Sequence, residues 1–279
     1  MNLKNKIISL LKKILPKKII FILIYVRDIP KNFTVNYSKF ILKFLITNIF
    51  DKNNNKLFTL RNFGGSTVSR GFHLFKSQPE VAKWIDSFDE NSCLVDVGAN
   101  IGIYSLYAAK KKHSVLAFEP ESLNFACLNL NIMDNDLKDY ISAYPISLND
   151  NNDISFLNLS TMKFGGSGST FGSCLDESGN TFEPIYKQGS IAFKLDDIIK
   201  KKNIIVNYVK IDVDGNELLV LKGMPELLKS PNLKSICIEL DPGTARGTEV
   251  IDLLINNFSK YEKKQYYNNQ KGFNYIFEK

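Results

Sequence analysis

The chain has 279 residues, 44% hydrophobic and 23% charged, which suits one α/β domain with an appendage and excludes a disordered or collagen-like chain. Its net charge of +7 belongs to residues 1–50, where ten Lys/Arg face a single acid, Asp28; the remainder holds 26 basic and 28 acidic residues. A nucleic-acid groove, which would spread basic residues over the fold, is disfavoured. Residues 1–18 read as a basic amphipathic helix, with Ile7, Ile8, Leu10, Leu11, Ile14 and Leu15 on one face and Lys6, Lys12, Lys13 and Lys17 on the other. An apolar run at 19–26 is too short to span a bilayer, and no small-x-small cleavage site follows it. Residues 1–50 therefore either lie on an anionic membrane surface or pack as an ordinary helical extension.

From Pro79 onward strand and helix patterns alternate, predicting an α/β sheet. Strands are expected near 93–98, 114–119, 141–148, 208–213 and 235–240. Helices are expected near 102–111, 122–133, 216–221 and 225–229. Thr248 is placed as the cap of a helix through Phe258, and 261–267 with 273–277 as a closing hairpin around 268–272. The segment 150–195 interrupts this order with strands near 154–159 and 190–195. Between them the run KFGGSGSTFGS permits unusual backbone angles. It reads as an active-site lid or substrate loop, with an exposed variable loop as the alternative. The expected organisation is a helical extension over 1–75 and an α/β domain over 76–279.

The run LVDVGANIGIYSLYAAKKKHSVLAFE, from Leu94 to Glu119, reads as strand, glycine turn, helix and strand. Glu119 lies 21 residues beyond Gly98, where a Rossmann-type fold places the acid that holds a ribose. A dinucleotide fingerprint needs G-x-G-x-x-G, but its second and third glycine positions here hold Asn100 and Ile103, which speaks against a nucleotide oxidoreductase. The form V-D-V-G-A-N-I-G-x-Y-S followed by A-F-E-P resembles the FkbM family of methyltransferases. So do YVKIDVDGNELLVLKGM at 208–224 and ICIELDP at 236–242, so that the resemblance spans roughly residues 90–242. It implies a Rossmann-like methyltransferase fold, with a mostly parallel sheet ending in an antiparallel hairpin. It also implies S-adenosyl-L-methionine as cofactor, and as acceptor a hydroxyl on a sugar of a surface glycan or on a secondary metabolite.

Ligands of open α/β sheets sit beyond the carboxyl ends of the strands, which gathers the candidate residues at one crevice. Asp96, Gly98, Asn100, Gly102, Glu119 and Ser147 are the cofactor residues. Glu119 would accept the ribose hydroxyls, and Asp96 would shape the turn or meet the methionine amino group. Ser147 stands where the family more often has alanine, on the adenine side. Lys210, Asp212 and Asp214 put charge on one face of a strand that should be apolar on both, so they are the catalytic candidates, with Asp212 the leading proton acceptor. Asp214 has a structural alternative as the cap of the next helix, with Glu217 as its capping-box partner. Glu239 and Asp241 are placed at the acceptor; the four carboxylates could instead hold Mg²⁺, although no spacing requires a metal.

Asp212-Val213-Asp214-Gly215 lacks the Pro-Pro-aromatic signature expected of a nucleic-acid amino-methyltransferase. The rival from another class is a non-catalytic, methyltransferase-like adaptor at the membrane. Four scattered cysteines and two histidines give neither a zinc site nor a disulfide framework. They fit a reducing cytoplasmic setting, peripheral at the inner membrane face if the N-terminal segment binds lipid.

Overall fold

The computed structural model describes residues 46–51, 53–71, 73–176, 179–258, 260–264 and 273–279. The chain divides into two compact units, Met1–Ile46 and Thr47–Lys279. The expected basic helix at 1–18 and its membrane contact lie outside the described residues, as does the 268–272 turn. Among the described residues no helix is long and apolar enough to cross a membrane.

The second unit is built on a seven-stranded sheet. Its strands are β3 (Cys93–Val97), β4 (Ser114–Phe118), β5 (Ile141–Tyr144), β10 (Tyr208–Ile211), β11 (Ser235–Leu240), β12 (Lys260–Lys264) and β13 (Phe273–Glu278), in the order β12-β13-β11-β10-β3-β4-β5. The five strands from β11 to β5 run parallel; β13 enters antiparallel beside β11, and β12 pairs antiparallel with β13. The parallel sheet with its closing hairpin is as expected. The chain winds from β3 outward to β5, then jumps back to β10 on the other side of β3. The crevice between the carboxyl ends of β3 and β10 is therefore the switch point of the sheet.

Side chains alternate across the sheet into two apolar cores. Leu94, Val115, Ala117 and Tyr208 face one, and Val95, Val97, Leu116, Val209 and Ile211 face the other. The first core explains why the domain starts earlier than the sequence suggested. Helix α3 (Ile103–Lys110) is buried from Ile103 to Ala109 and has no polar face, so it needs a cover on the side away from the sheet. That cover is β2 (Lys56–Arg61), supplying Phe58 and Leu60, and α2 (Pro79–Asp86), supplying Trp84 and Ile85. β2 pairs with β1 (Ile46–Phe50). Helix α1 (Gly65–Gly71) and a π-helical turn at His73–Ser77 complete the segment. The boundary read at 75/76 thus falls inside this unit.

Some elements differ from expectation. The strand at 141–148 breaks after Tyr144 because Pro145 cannot donate to the ladder; β6 (Ser147–Leu148) leaves the main sheet to pair with β9. The helix expected from Thr248 begins earlier, as α8 (Ala245–Ile255), because Thr244 is the cap: its Oγ1 accepts the Gly247 N–H at 3.0 Å. Helix α5 (Leu195–Lys202) was not read, since its LDDIIKKK sequence is dominated by charge. The 150–195 insertion is itself ordered: β7 (Asp153–Leu159), β8 (Ser169–Phe171) and β9 (Tyr186–Phe193) form a second sheet, β6-β9-β7-β8. The remaining helices are α4 (Ser122–Asp134), α6 (Glu217–Lys222) and α7 (Pro225–Lys229).

One glycine fixes how closely β3 and β10 approach at their carboxyl ends. Gly98 has φ +78°, and a Cβ there would collide with the Asp212 backbone carbonyl. Gly172, at φ +73°, has open space around it. Gly98→Ala should therefore cost more than the ~1–3 kcal/mol of a strained backbone alone, and Gly172→Ala no more than that. Urea unfolding of the two variants checks this; equal losses would mean that the β3–β10 approach is not tight.

Candidate active site

The crevice is lined by the turn after β3 (Gly98, Asn100), by Ile103 and Tyr104 of α3, and by Glu119 and Glu121 beyond β4. Asn124, Arg70 of α1, Gly166, Ser167 and Ser169 of the insertion, and Lys210, Asp212 and Asp214 close the ring. Glu119 is buried and meets the turn directly. Its Oε2 accepts the Asn100 N–H at 2.7 Å, and its Oε1 accepts the Glu121 N–H at 2.8 Å. Burial pushes its carboxyl up to about 8, against the pull of these two N–H groups. Each oxygen keeps acceptor capacity beyond these bonds and Glu119 lines the crevice, so the carboxylate could still accept a ribose diol.

Lys210 and Asp212 form the centre of the site. The Lys210 side chain is 2% exposed, and its Nζ lies 2.7 Å from Asp212 Oδ2 and 4.7 Å from the centre of the Tyr104 ring. On the neighbouring strand its register partner is Asp96. Burial alone would lower the ammonium, but Asp212 and Asp96 outweigh it and hold it above the usual lysine range. Burial would likewise raise Asp212, yet the Lys210 charge and hydrogen bond dominate and hold its carboxyl below the ordinary value of 3.8. Lys210 is thus an ammonium that fixes Asp212 as an ionised acceptor, and it cannot itself take a proton.

The other predicted residues fall in three places. Asp96 is buried behind the crevice, where Ser105 Oγ donates to it at 2.5 Å and burial raises its carboxyl despite Lys210; it does not line the opening. Gly102 caps α3 at φ +91°, where a Cβ would press on Leu128, and it lies outside the crevice lining. Ser147 is buried in β6, outside the crevice lining, and its hydroxyl has no hydrogen-bond partner among the described residues. Glu239 and Asp241 line an adjoining depression that meets the crevice at Asp212. Glu239 is a hydrogen-bond partner of Asp212, while Asp241 Oδ1 accepts the Gly243 N–H at 2.9 Å and shapes the loop into α8.

Asp214 does not cap α6. The cap position is Asn216, and Glu217 accepts the Gly215 N–H at 3.1 Å. Asp214 Oδ2 instead accepts two N–H groups from the insertion, Gly168 at 2.6 Å and Ser169 at 2.9 Å. This is possible because β10 ends at Ile211, and the loop beyond it turns Asp214 toward the insertion.

The insertion is held over the crevice from both sides. Asn124 accepts the Gly165 N–H at 2.8 Å and donates to the Gly166 carbonyl at 3.1 Å, and Asn100 Nδ2 donates to the same carbonyl at 2.7 Å. Phe164 stacks on Phe63 with ring centres 4.4 Å apart, and Arg70 Nε donates to the Gly165 carbonyl at 3.2 Å. Arg70, Tyr104, Glu121 and Asn124 were not singled out from the sequence. Asn124 and Glu121 follow the strand that ends in Glu119 and could have been sought there, whereas Arg70 lies in a segment that carries no motif.

A methyltransferase FkbM domain matches residues 96–268, more than half of the chain. The chain belongs to the FkbM methyltransferase family. A curated relative, the hexuronic acid methyltransferase AglP of Haloferax volcanii, is 28% identical over 166 residues, or 57% of this chain. The match spans 60% of that relative's length. Among solved structures, the METTL16 MTase domain aligns over 90% of this chain and 93% of its own, with 14% identity and a TM-score of 0.48. The N-terminal domain of human METTL16 in complex with SAH aligns over 90% and 95%, with 14% identity and a TM-score of 0.45. In this FkbM protein the crevice is the candidate place of reaction.

The raised Glu119 carboxyl has a consequence for stability. An unfolded glutamate ionises near 4.5, whereas in the fold Glu119 ionises near 8. The folded protein therefore holds a proton between those values that the unfolded chain releases. Stability from this group is present in full below 4.5 and is lost as pH rises through about 8. Unfolding of the unliganded protein from pH 4.5 to 8.5 should show this falling contribution, and Glu119→Gln should flatten it. An identical slope in the variant would contradict the burial of Glu119.

Proposed function

We propose that the protein is an S-adenosylmethionine-dependent O-methyltransferase acting on a sugar hydroxyl of a glycan. The observation that carries this reading is the pairing, in one crevice, of a buried acid suited to a ribose with a lysine-fixed acid suited to an attacking hydroxyl. Glu119, lining the opening with acceptor capacity to spare, would hold the ribose of the cofactor, and the backbone of the Gly98 turn would lie against it. When bound, S-adenosylmethionine supplies a methyl group on a cationic sulfur, open to in-line displacement by oxygen. The chain's own part is to present that oxygen. Asp212, kept ionised by Lys210, accepts the hydrogen bond of the acceptor hydroxyl and takes its proton as the oxygen is methylated. Asp212 is a weak base in the resting site, which suits a proton transferred late, once bond formation has made the hydroxyl acidic. The insertion, pinned by Asn100, Asn124 and Asp214, would keep water from the reacting atoms. The acceptor class draws support from the hexuronic acid named in the relative's description.

Calorimetric titration with S-adenosylhomocysteine tests the cofactor half. Micromolar binding is expected, weakened about 30-fold or more in Glu119→Ala by loss of charge-assisted hydrogen bonds; unchanged affinity would remove Glu119 from the site. Incubation of S-adenosylmethionine with a panel of glycosides tests the acceptor half. Transfer should yield an alkali-stable methyl ether, and Asp212→Asn should lower kcat by about 10²–10⁴ while homocysteine-nucleoside affinity persists. An alkali-labile methyl ester, or full activity in Asp212→Asn, would contradict the assignment.

A further inference from the structure

We propose that Arg70 is the specificity residue of the acceptor site, binding a carboxylate on the sugar so that the enzyme selects acidic over neutral glycosides. This rests on the glycan reading above and names the class of sugar within it.

Two cations line the crevice, Lys210 and Arg70. Lys210 is buried and committed to Asp212. Arg70 is half-buried, and its guanidinium uses Nε for the Gly165 carbonyl at 3.2 Å. Among the described residues its two terminal nitrogens have no other hydrogen-bond partner. They are the strongest donors in the opening without a protein acceptor. A guanidinium held by one edge offers a planar fork that matches a carboxylate with two parallel hydrogen bonds.

The placement fits an acceptor ring. Arg70 shares the crevice with Asp212 and is close enough for its charge to help hold the Asp212 carboxyl down. A uronic acid carries its carboxylate and its hydroxyls on one small ring. With the carboxylate on Arg70, a hydroxyl of the same ring can reach Asp212, and the carboxylate itself is kept from the reacting position. Without Arg70 an acidic sugar would meet the ionised Asp212 with only Lys210, already committed to that carboxylate, to offset it, and like charges at short range would disfavour it. The remaining role open to Arg70, holding the insertion through Gly165, uses Nε alone and gives no discrimination between sugars.

The test compares methyl glucuronide with methyl glucoside, measured by binding to protein loaded with S-adenosylhomocysteine and by methyl transfer, in wild type, Arg70→Gln and Arg70→Lys. The wild type should favour the glucuronide roughly 10- to 100-fold. That preference should vanish in Arg70→Gln and fall part-way in Arg70→Lys, which keeps the charge and loses the fork. Homocysteine-nucleoside titration and thermal unfolding identify any variant that has lost its fold; Arg70→Lys then carries the comparison. A purely structural role would weaken both sugars equally, leaving the ratio unchanged, and would overturn the proposal. Equal binding of the two sugars by the wild type would overturn it also, with methyl transfer to either still upholding the O-methyltransferase reading. An Arg70-dependent preference in binding without transfer to either sugar would support the carboxylate subsite and count against the O-methyltransferase reading.

Discussion

The ion pair between Lys210 and Asp212 is the constraint on which the site depends. Placing a lysine at 2% exposure inside a parallel sheet is unfavourable unless its charge is matched, and Asp212 and Asp96 match it from two strands. The arrangement converts a burial cost into orientation. Lys210 is packed on all sides, its hydrogen bond orients the Asp212 carboxylate, and the ring of Tyr104 lies over its ammonium. Behind this pair the face of the sheet turns polar at its carboxyl end. Glu239 lies beside Asn274 of β13, and Asn274 Nδ2 donates to Glu80 of α2 at 2.8 Å. The polar row thus runs from the crevice into the fold, and the segment that covers α3 is part of its support.

The crevice itself follows from two backbone facts. The sheet reverses its winding between β3 and β10, which leaves the two carboxyl ends without a connecting helix between them. Gly98 then lets the Asp212 carbonyl approach the turn more closely than any side chain would allow. Glu119 stabilises that turn from the next strand by accepting the Asn100 N–H. The group expected to hold a ribose is therefore also the group that shapes the loop beneath it. A cofactor hydroxyl donating to Glu119 would favour its ionised form, and would oppose the effect of burial.

Much of this was legible in the sequence because it is local. The strands β3, β4, β10 and β11 are short apolar runs, and the spacing from Gly98 to Glu119 reflects one βαβ unit. The charged face of the KID segment required an explanation other than packing, and Lys210 and Asp212 do share that face. What was not legible depends on distant partners. Asp214 followed by Glu217 has the pattern of a capping box, but the backbone donors of Gly168 and Ser169, some 45 residues away, claim Asp214 first. Arg70 sits in a stretch without motif, and its place at the site depends on β2 and α2 covering α3, with α1 carried between them. The near absence of polar residues in IYSLYAA was the available sign that such a cover must exist.

Asp212 is held ionised by Lys210, and the whole site depends on that pairing. Carbon-13 NMR titration of the Asp212 side-chain carboxyl in the folded protein measures this directly. The expected midpoint lies below the ordinary 3.8, with the carboxylate charged throughout the range in which the protein is folded. A midpoint at or above 3.8 would contradict it, because the buried lysine would then not be acting on Asp212.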